Sequence, residues 1–228
     1  MSIKRQIWQG ALAIFPLSIA VIPWGFLVGS FATDIGLTVI ESQALSVILF
    51  AGSAQLVAVG MFKAGVGLST MLLTTFFITS RHFLYSVSMR NKISPLPLKW
   101  RITLGFLLTD ELFAVVGNQS AERFKPWYAF GAGFSFYLVW NMATLIGIVA
   151  GNQIPNLEQY GLEFAVAATF IALVVPTIKS VAILVSVIVA LLLSVTLAMF
   201  QVEGALMIST IGAMISGYVC ESFAKESA

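Results

Sequence analysis

The chain is short of charge. Only 10% of its 228 residues are Asp, Glu, Lys or Arg, whereas 59% are apolar. A water-soluble domain carries about 25% charged residues, so these few charges could not cover a water-facing surface. A lipid environment removes that requirement, because the outside of the protein is then as apolar as the inside. The composition therefore predicts an integral membrane protein with no soluble domain.

Cysteine and histidine are almost absent as well. Cys220 is the one cysteine, which excludes an internal disulfide, and His82 is the one histidine. Metal centres are built from His, Cys and carboxylates, so we predict no metal site and no cofactor. Phosphate loops, dinucleotide-binding glycine patterns and the HExxH motif are also missing. The net charge of +2, without a basic run, gives no reason to expect nucleic acid.

Eight apolar stretches have about the 20 residues that a helix needs to cross a bilayer. They lie at 8–31, 43–62, 66–89, 101–118, 127–150, 162–178, 180–200 and 204–221. We therefore predict an all-α protein, with one transmembrane domain over residues 1–228 and seven to eight hydrophobic segments. Lys4 and Arg5 precede the first stretch and predict a cytoplasmic N-terminus in a multi-pass protein of the inner membrane.

The positions of the basic residues conflict with three full crossings in the first part of the chain. Four basic residues follow the third stretch: Arg90, Lys92, Lys99 and Arg101. They place that loop in the cytoplasm too, yet three full crossings cannot join two cytoplasmic points. The second stretch is the best candidate for an incomplete crossing, because residues 50–55 at its centre read Phe-Ala-Gly-Ser-Ala-Gln. Irregular backbone at this depth needs protein or a water-filled cavity around it, so we predict a broken or re-entrant helix.

A similar pattern returns in the second half of the chain. Residues 50–58 align with residues 164–172, and Phe and three Ala recur at a constant offset of 114. Chance identity of common membrane residues is one explanation. The other is that residues 1–118 and 127–222 are two inverted repeats. Many secondary transporters have this architecture, with substrate sites near the membrane midplane beside discontinuous helices.

Polar residues within the apolar stretches are costly and tend to be functional. Gly52, Ser53 and Gln55 are predicted to bind a polar substrate at the helix break, facing Thr169 in the second repeat. Asn141 in the fifth stretch is a further candidate for substrate binding, or for a hydrogen bond to a neighbouring helix. The alternative for the whole group is a close helix crossing, where small residues are common.

A second group of residues carries charge. Arg81, His82 and Tyr85 lie towards the end of the third stretch, and Asp110 and Glu111 lie about midway along the fourth. Arginine binds carboxylates well and histidine titrates near neutral pH, so we predict a charge or proton-coupling network. One acid is expected to pair with Arg81 or to cap a broken helix, and the other to bind substrate or a proton. The structural alternatives are that Arg81 extends to lipid headgroups and that the acids form an ion pair without a transport role.

Five motifs resemble those of the AzlC family, in the same order. They are PWGFLVG from residue 23, FAGSAQ from residue 50, RHFLYS from residue 81, TDE from residue 109, and the segment 163–176. Together the resemblance covers nearly the whole chain, about residues 8–220. Thr79 departs from the pattern, because an Asn is expected there.

The resemblance implies a function. Members of the AzlC family are large subunits of branched-chain amino acid exporters. This implies export of valine, leucine and isoleucine, with methionine as a further candidate, driven by protons and assisted by a small membrane subunit of the AzlD type. An uncoupled channel-like facilitator of small polar solutes and an intramembrane enzyme are the alternatives. Neither Ser53 nor Ser80 has a recognisable nucleophile arrangement, so we do not predict an enzyme.

Overall fold

We describe the protein from a computed structural model. The described residues are 2–151, 153, 168, 171, 174–200, 202 and 205–226. Within these ranges the secondary structure is helical and contains no strand, which confirms the all-α prediction. The chain divides into two compact units, Met1–Thr169 and Phe170–Ala228. Thr169 and most of the segment 164–172 lie outside the described residues.

The first unit contains helices of 5 to 26 residues. They are α1 (Ile3–Ala20), α2 (Ile22–Asp34), α3 (Val39–Ala44), a π-helix (Leu45–Leu49), α4 (Gly52–Lys63), α5 (Leu68–Ile93), α6 (Leu98–Phe106), α7 (Asp110–Val116) and α8 (Pro126–Gly151). In the second unit a 3₁₀ turn (Val175–Thr177) is followed by α9 (Val181–Met199) and α10 (Ala205–Glu226), which pack against each other.

Two of the described helices, α8 and α9, are long and apolar enough to cross a membrane. Helices α1 and α2 together make a third candidate, bent by 55°. The bend lies at Val21, and Pro23 follows in the first turn of α2, where a helix does not need its N–H. The predicted total of seven to eight segments stays a prediction.

The second apolar stretch is broken, as the sequence predicts. The π-helix ends at Leu49, and α4 begins at Gly52. Between them Phe50 adopts a left-handed φ of 44°, which no other non-glycine residue does in the described part of the chain. A left-handed conformation costs a residue with a side chain about 1–2 kcal/mol. Surrounding packing must therefore hold Phe50 in place.

An aromatic cluster provides that packing. The Phe50 ring is 5% exposed and lies against Phe106, Phe136 and Tyr137, with ring centroids 6.0, 6.1 and 4.9 Å away. The Tyr137 hydroxyl also donates a hydrogen bond to the Val47 carbonyl at 3.0 Å. This bond satisfies a backbone acceptor of the π-helix. The break is thus a fixed structural feature, tied to α6 and α8.

The fourth apolar stretch is broken too. Helix α6 ends at Phe106 and α7 begins at Asp110. Thr109 caps α7, because its hydroxyl accepts a hydrogen bond from the Leu112 N–H at 3.3 Å. Asp110 and Glu111 occupy the first turn, where the helix dipole favours negative charge. The motif Thr-Asp-Glu therefore starts a helix, and the threonine rather than an acid forms the cap.

Helix α8 is the platform of the first unit, because α1 and α2 both pack along it. Small residues allow the close approach. A Cβ added to Gly25 of α2, for example, would lie 2.8 Å from the Ala143 Cβ of α8. Helix α8 also contacts the broken second stretch. The Phe136 ring packs against the Phe50 ring, and the Thr144 hydroxyl forms a hydrogen bond with the Ser46 hydroxyl.

Lys92 at the end of α5 stabilises the C-terminus of α7. Its ammonium donates hydrogen bonds to the carbonyls of Val116, at 3.3 Å, and Gly117. Cations are favourable at this end of a helix. We expect Lys92→Met to lower the free energy of unfolding by about 1–2 kcal/mol, since hydrogen bonds to a charged group are lost. Thermal unfolding in detergent, with the exposed Lys99→Met as control, measures this. Equal Tm values for the two variants would contradict it.

Candidate functional site

The two helix breaks meet at one small cavity inside the first unit. It contains six of the residues predicted from the sequence: Gly52, Ser53, Arg81, His82, Asp110 and Glu111. Four aromatic side chains complete the wall: Trp24, Phe50, Phe136 and Trp140. The cavity volume is about 30 Å³, which is room for water but not for an amino acid.

Arg81 connects the two breaks. Its Nη2 atom lies 2.7 Å from Oδ2 of Asp110 at the start of α7. The same nitrogen donates a hydrogen bond to the Ser53 hydroxyl at the start of α4, at 3.0 Å. The prediction that one of the two acids pairs with Arg81 is confirmed, and the partner is Asp110.

The two neighbouring acids have different surroundings. Asp110 is neutralised by Arg81, whereas Glu111 is 6% exposed and makes no ion pair with the described part of the chain. Successive residues of a helix point about 100° apart, which explains why the two carboxylates cannot share Arg81 equally. Among the described residues, Glu111 is thus a buried acid at the cavity without an ion-pair partner.

The N-terminus of α4 adds a positive field to the cavity. The first hydrogen bond of this helix runs from the Gln55 N–H to the Ala51 carbonyl, at 2.9 Å. The N–H groups of Gly52, Ser53 and Ala54 therefore precede the intrahelical bonding, and no side chain caps them from position 51. Such N–H groups and the helix dipole favour an anion.

Gly52 is required by a close contact. A Cβ at this position would lie 2.6 Å from Cη2 of Trp140, so the indole of α8 occupies the space that any side chain would need. Trp140 is 3% exposed and packs edge-on against Trp24, with centroids 6.5 Å apart. The two indoles form an apolar wall beside the polar groups.

Gln55 and Asn141, which the sequence also nominates for substrate binding, lie in a separate polar layer. Gln55 is fully buried, and its side-chain amide donates a hydrogen bond to the Ser46 hydroxyl at 3.1 Å. The Ser46 hydroxyl in turn lies 2.9 Å from the Thr144 hydroxyl. Asn141 accepts a hydrogen bond from the Gln43 amide at 3.0 Å. These bonds join α4, the π-helix and α3 to α8. The structure thus places both residues in helix-to-helix contacts rather than among the cavity-lining residues.

His82 and Tyr85 of α5 lie differently with respect to the cavity. His82 lines the cavity, and its Nδ1 lies 3.1 Å from the Thr79 carbonyl. Tyr85 does not line it; its ring stacks on Phe113 of α7, with centroids 4.4 Å apart. Thr79, where the family pattern has Asn, bonds to the Thr75 carbonyl at 2.8 Å. Tyr85 therefore supports α7, while His82 is available to the cavity.

Sequence reasoning missed three of the four aromatic residues in the wall. Trp24, Phe136 and Trp140 line the cavity, yet aromatic residues in an apolar helix give no signal of their own. In the sequence, the neighbouring residues Pro23 and Asn141 stand out instead, because proline and a polar residue are unusual in an apolar helix. On α8, Trp140 and Asn141 point about 100° apart, and it is the tryptophan that faces the cavity.

Comparison with known proteins finds relatives for the part of the chain that contains this cavity. A family model described as AzlC protein matches residues 16–154, which include the whole cavity. The inner membrane protein YgaZ of Escherichia coli is 32% identical over 72% of this chain and 70% of its own length. The branched-chain amino acid transport protein AzlC of Bacillus subtilis is 29% identical over 76% and 70%. An uncharacterized membrane protein of Archaeoglobus fulgidus is 30% identical over 75% of each chain. No solved structure matches.

The apolar helices and these relatives define a membrane protein with a charged cavity at two helix breaks. The extent of the match then settles the family, because the family model covers more than half of the chain. The protein belongs to the AzlC family.

Proposed function

We propose that this protein exports branched-chain amino acids as the large subunit of a two-component, proton-coupled exporter. Valine, leucine and isoleucine are the proposed substrates, with methionine as a further candidate. The observation that carries the proposal is Arg81, whose guanidinium joins Ser53 and Asp110 in a cavity between two helix breaks. The name of the Bacillus subtilis relative supports the substrate class.

The cavity has the groups that an aliphatic amino acid requires. Arg81 and the start of α4 suit the carboxylate, and Asp110 or Glu111 suits the amine. Trp24 and Trp140 suit the aliphatic side chain. Thr169 stays a proposed contact from the second repeat. We assign Gln55, Asn141 and Tyr85 the role of holding the walls in place.

Efflux from whole cells tests the function. Cells preloaded with a leucine-containing dipeptide should release leucine faster when this protein is expressed with its AzlD-type partner. An uncoupler should slow release by a proton-coupled exporter, whereas release through an uncoupled facilitator, which runs down the leucine gradient, would keep its rate. Alanine release is measured in the same cells for comparison. Leucine release that is no faster with the protein than without it would contradict the proposal.

Ser53 and Gln55 provide a matched pair of variants on one helix. We expect Ser53→Ala to weaken leucine binding about fivefold to tenfold, since one hydrogen bond to the carboxylate and one to Arg81 are lost. Gln55→Leu should lower stability and leave leucine affinity unchanged, because Gln55 bonds to Ser46 instead. Leucine titration by calorimetry and thermal unfolding separate the two effects. The reverse pattern would place the substrate in the Gln55 layer.

The inverted repeat remains part of the proposal and makes a topological prediction. With the second stretch re-entrant, residues 2 and 94 should be cytoplasmic and residue 120 external. Single cysteines at Ser2, Ser94 and Ser120, in a Cys220→Ala background, can be labelled with a membrane-impermeant maleimide. We expect Ser120→Cys to react in intact spheroplasts and the other two only after permeabilisation. External labelling at position 94 would refute the re-entrant second stretch.

A further inference from the structure

The Arg81–Asp110 ion pair occupies the place where the charges of a substrate would bind. Arg81 Nη2 is held by Asp110 at 2.7 Å and by Ser53 at 3.0 Å. The cavity around the pair has a volume of about 30 Å³, which is enough to hold water. An amino acid is several times larger. The ion pair therefore occupies the charged part of this space, and a substrate must displace it to bind there.

An α-amino acid carries the same two charges as this pair. Its carboxylate can replace Asp110 on Arg81, where the Ser53 hydroxyl and the N–H groups of α4 also favour an anion. Its amine can then bind Asp110. One oxygen of that side chain, Oδ1, is buried and makes no hydrogen bond of normal length with the described part of the chain, although the Tyr85 hydroxyl interacts with the same carboxylate.

We propose that the Arg81–Asp110 pair is a lock that a zwitterion opens by exchange, forming one ion pair with each residue. The inference rests on the proposed function and adds to it how the substrate is selected and how the cavity opens. The exchange leaves both Arg81 and Asp110 paired with an opposite charge. Because Arg81 is the link between Ser53 of α4 and Asp110 of α7, inserting the substrate also separates the two helix starts.

The lock explains why the site would select solutes that carry both a positive and a negative charge. A carboxylic acid without an amine would displace Asp110 from Arg81 and leave it buried and unpaired, which is strongly unfavourable. An amine without a carboxylate would draw Asp110 away from Arg81 without supplying an anion in its place. Both analogues retain the aliphatic side chain, so the apolar wall cannot reject them. The ion pair therefore excludes them through the charge that they leave behind.

Removing the internal carboxylate should change this selectivity in a defined way. In Asp110→Asn, Arg81 loses its ion-pair partner, so an added anion no longer competes with the Asp110 carboxylate. We expect the affinity for 4-methylpentanoate, which is leucine without its amine, to rise at least about tenfold. Leucine should bind more weakly, because its amine loses Asp110. A pair with only a structural role would leave the preference between the two ligands unchanged.

The experiment is ligand titration of the purified full-length protein in detergent. Leucine, 4-methylpentanoate and 3-methylbutylamine are titrated into the wild type, Asp110→Asn and Asp110→Glu. The glutamate variant keeps the charge and should still reject 4-methylpentanoate. Should Asp110→Asn be unstable, it is purified with acetate or 4-methylpentanoate, which should raise its Tm and leave that of the wild type unchanged.

The outcomes separate this inference from the function on which it rests. A gain of anion binding, or anion-dependent stabilisation, in Asp110→Asn alone supports the lock. If the wild type binds leucine but Asp110→Asn shows neither effect, the lock is wrong and the exporter proposal stands. If the wild type binds no branched-chain amino acid, with or without its partner subunit, both are overturned.

Discussion

Glu111→Gln is expected to abolish proton-driven leucine transport while leaving exchange of leucine for leucine intact. Arg81 and Asp110 neutralise each other, so protonation of Glu111 or His82 changes the net charge of the cavity, and Glu111 is the more deeply buried of the two. Glutamine keeps the size and shape of the side chain but cannot gain or lose the proton. Exchange needs no net proton movement and should therefore survive.

Proteoliposomes separate the two activities. Labelled leucine uptake is measured under an imposed pH gradient, and counterflow is measured with unlabelled leucine inside and no gradient. Glu122→Gln, an exposed acid outside the apolar stretches, is the matched control and should behave as the wild type does. Gradient-driven uptake at the wild-type rate in Glu111→Gln would remove Glu111 from the coupling mechanism.

The break in the second stretch could be predicted because two independent signals agreed. The basic residues near residues 4 and 90–101 required an incomplete crossing, and residues 50–55 supplied a polar centre. The residue that turns the chain could not be predicted. Glycine is the usual choice for a left-handed conformation, which favours Gly52. The structure uses Phe50 instead, because aromatic packing from α6 and α8 supports it, and Gly52 serves the contact with Trp140.

The charged residues of the cavity could also be found individually, since charge within an apolar helix is costly. Their pairing could not. It depends on α7 starting at Asp110, which directs one acid to Arg81 and turns its neighbour away. Gln55 and Asn141 show the same limit. A polar side chain in an apolar helix can face a cavity or another helix, and only tertiary packing decides between them.

Gly52→Ala is expected to impair leucine transport severely, through one methyl group. The added Cβ would lie 2.6 Å from Cη2 of Trp140, and an indole held by Trp24 cannot move aside easily. Overpacking of this kind costs about 1–3 kcal/mol. The start of α4 must shift instead, which carries Ser53 and its N–H groups away from Arg81. Gly60→Ala on the same helix is the control, because its Cβ would meet only Phe31, at 3.8 Å.

A second substitution distinguishes the steric cause from the loss of glycine itself. Gly52 does not have a positive φ, so alanine is compatible with its backbone, and shortening the opposing ring should restore the fit. We expect the double variant Gly52→Ala, Trp140→Phe to recover most of the transport rate and Tm that Gly52→Ala loses. Trp140→Phe alone should be destabilised by the space it leaves. Additive losses in the double variant would show that Gly52 acts through the substrate or backbone flexibility, because relief of a clash must appear as a favourable coupling between the two sites.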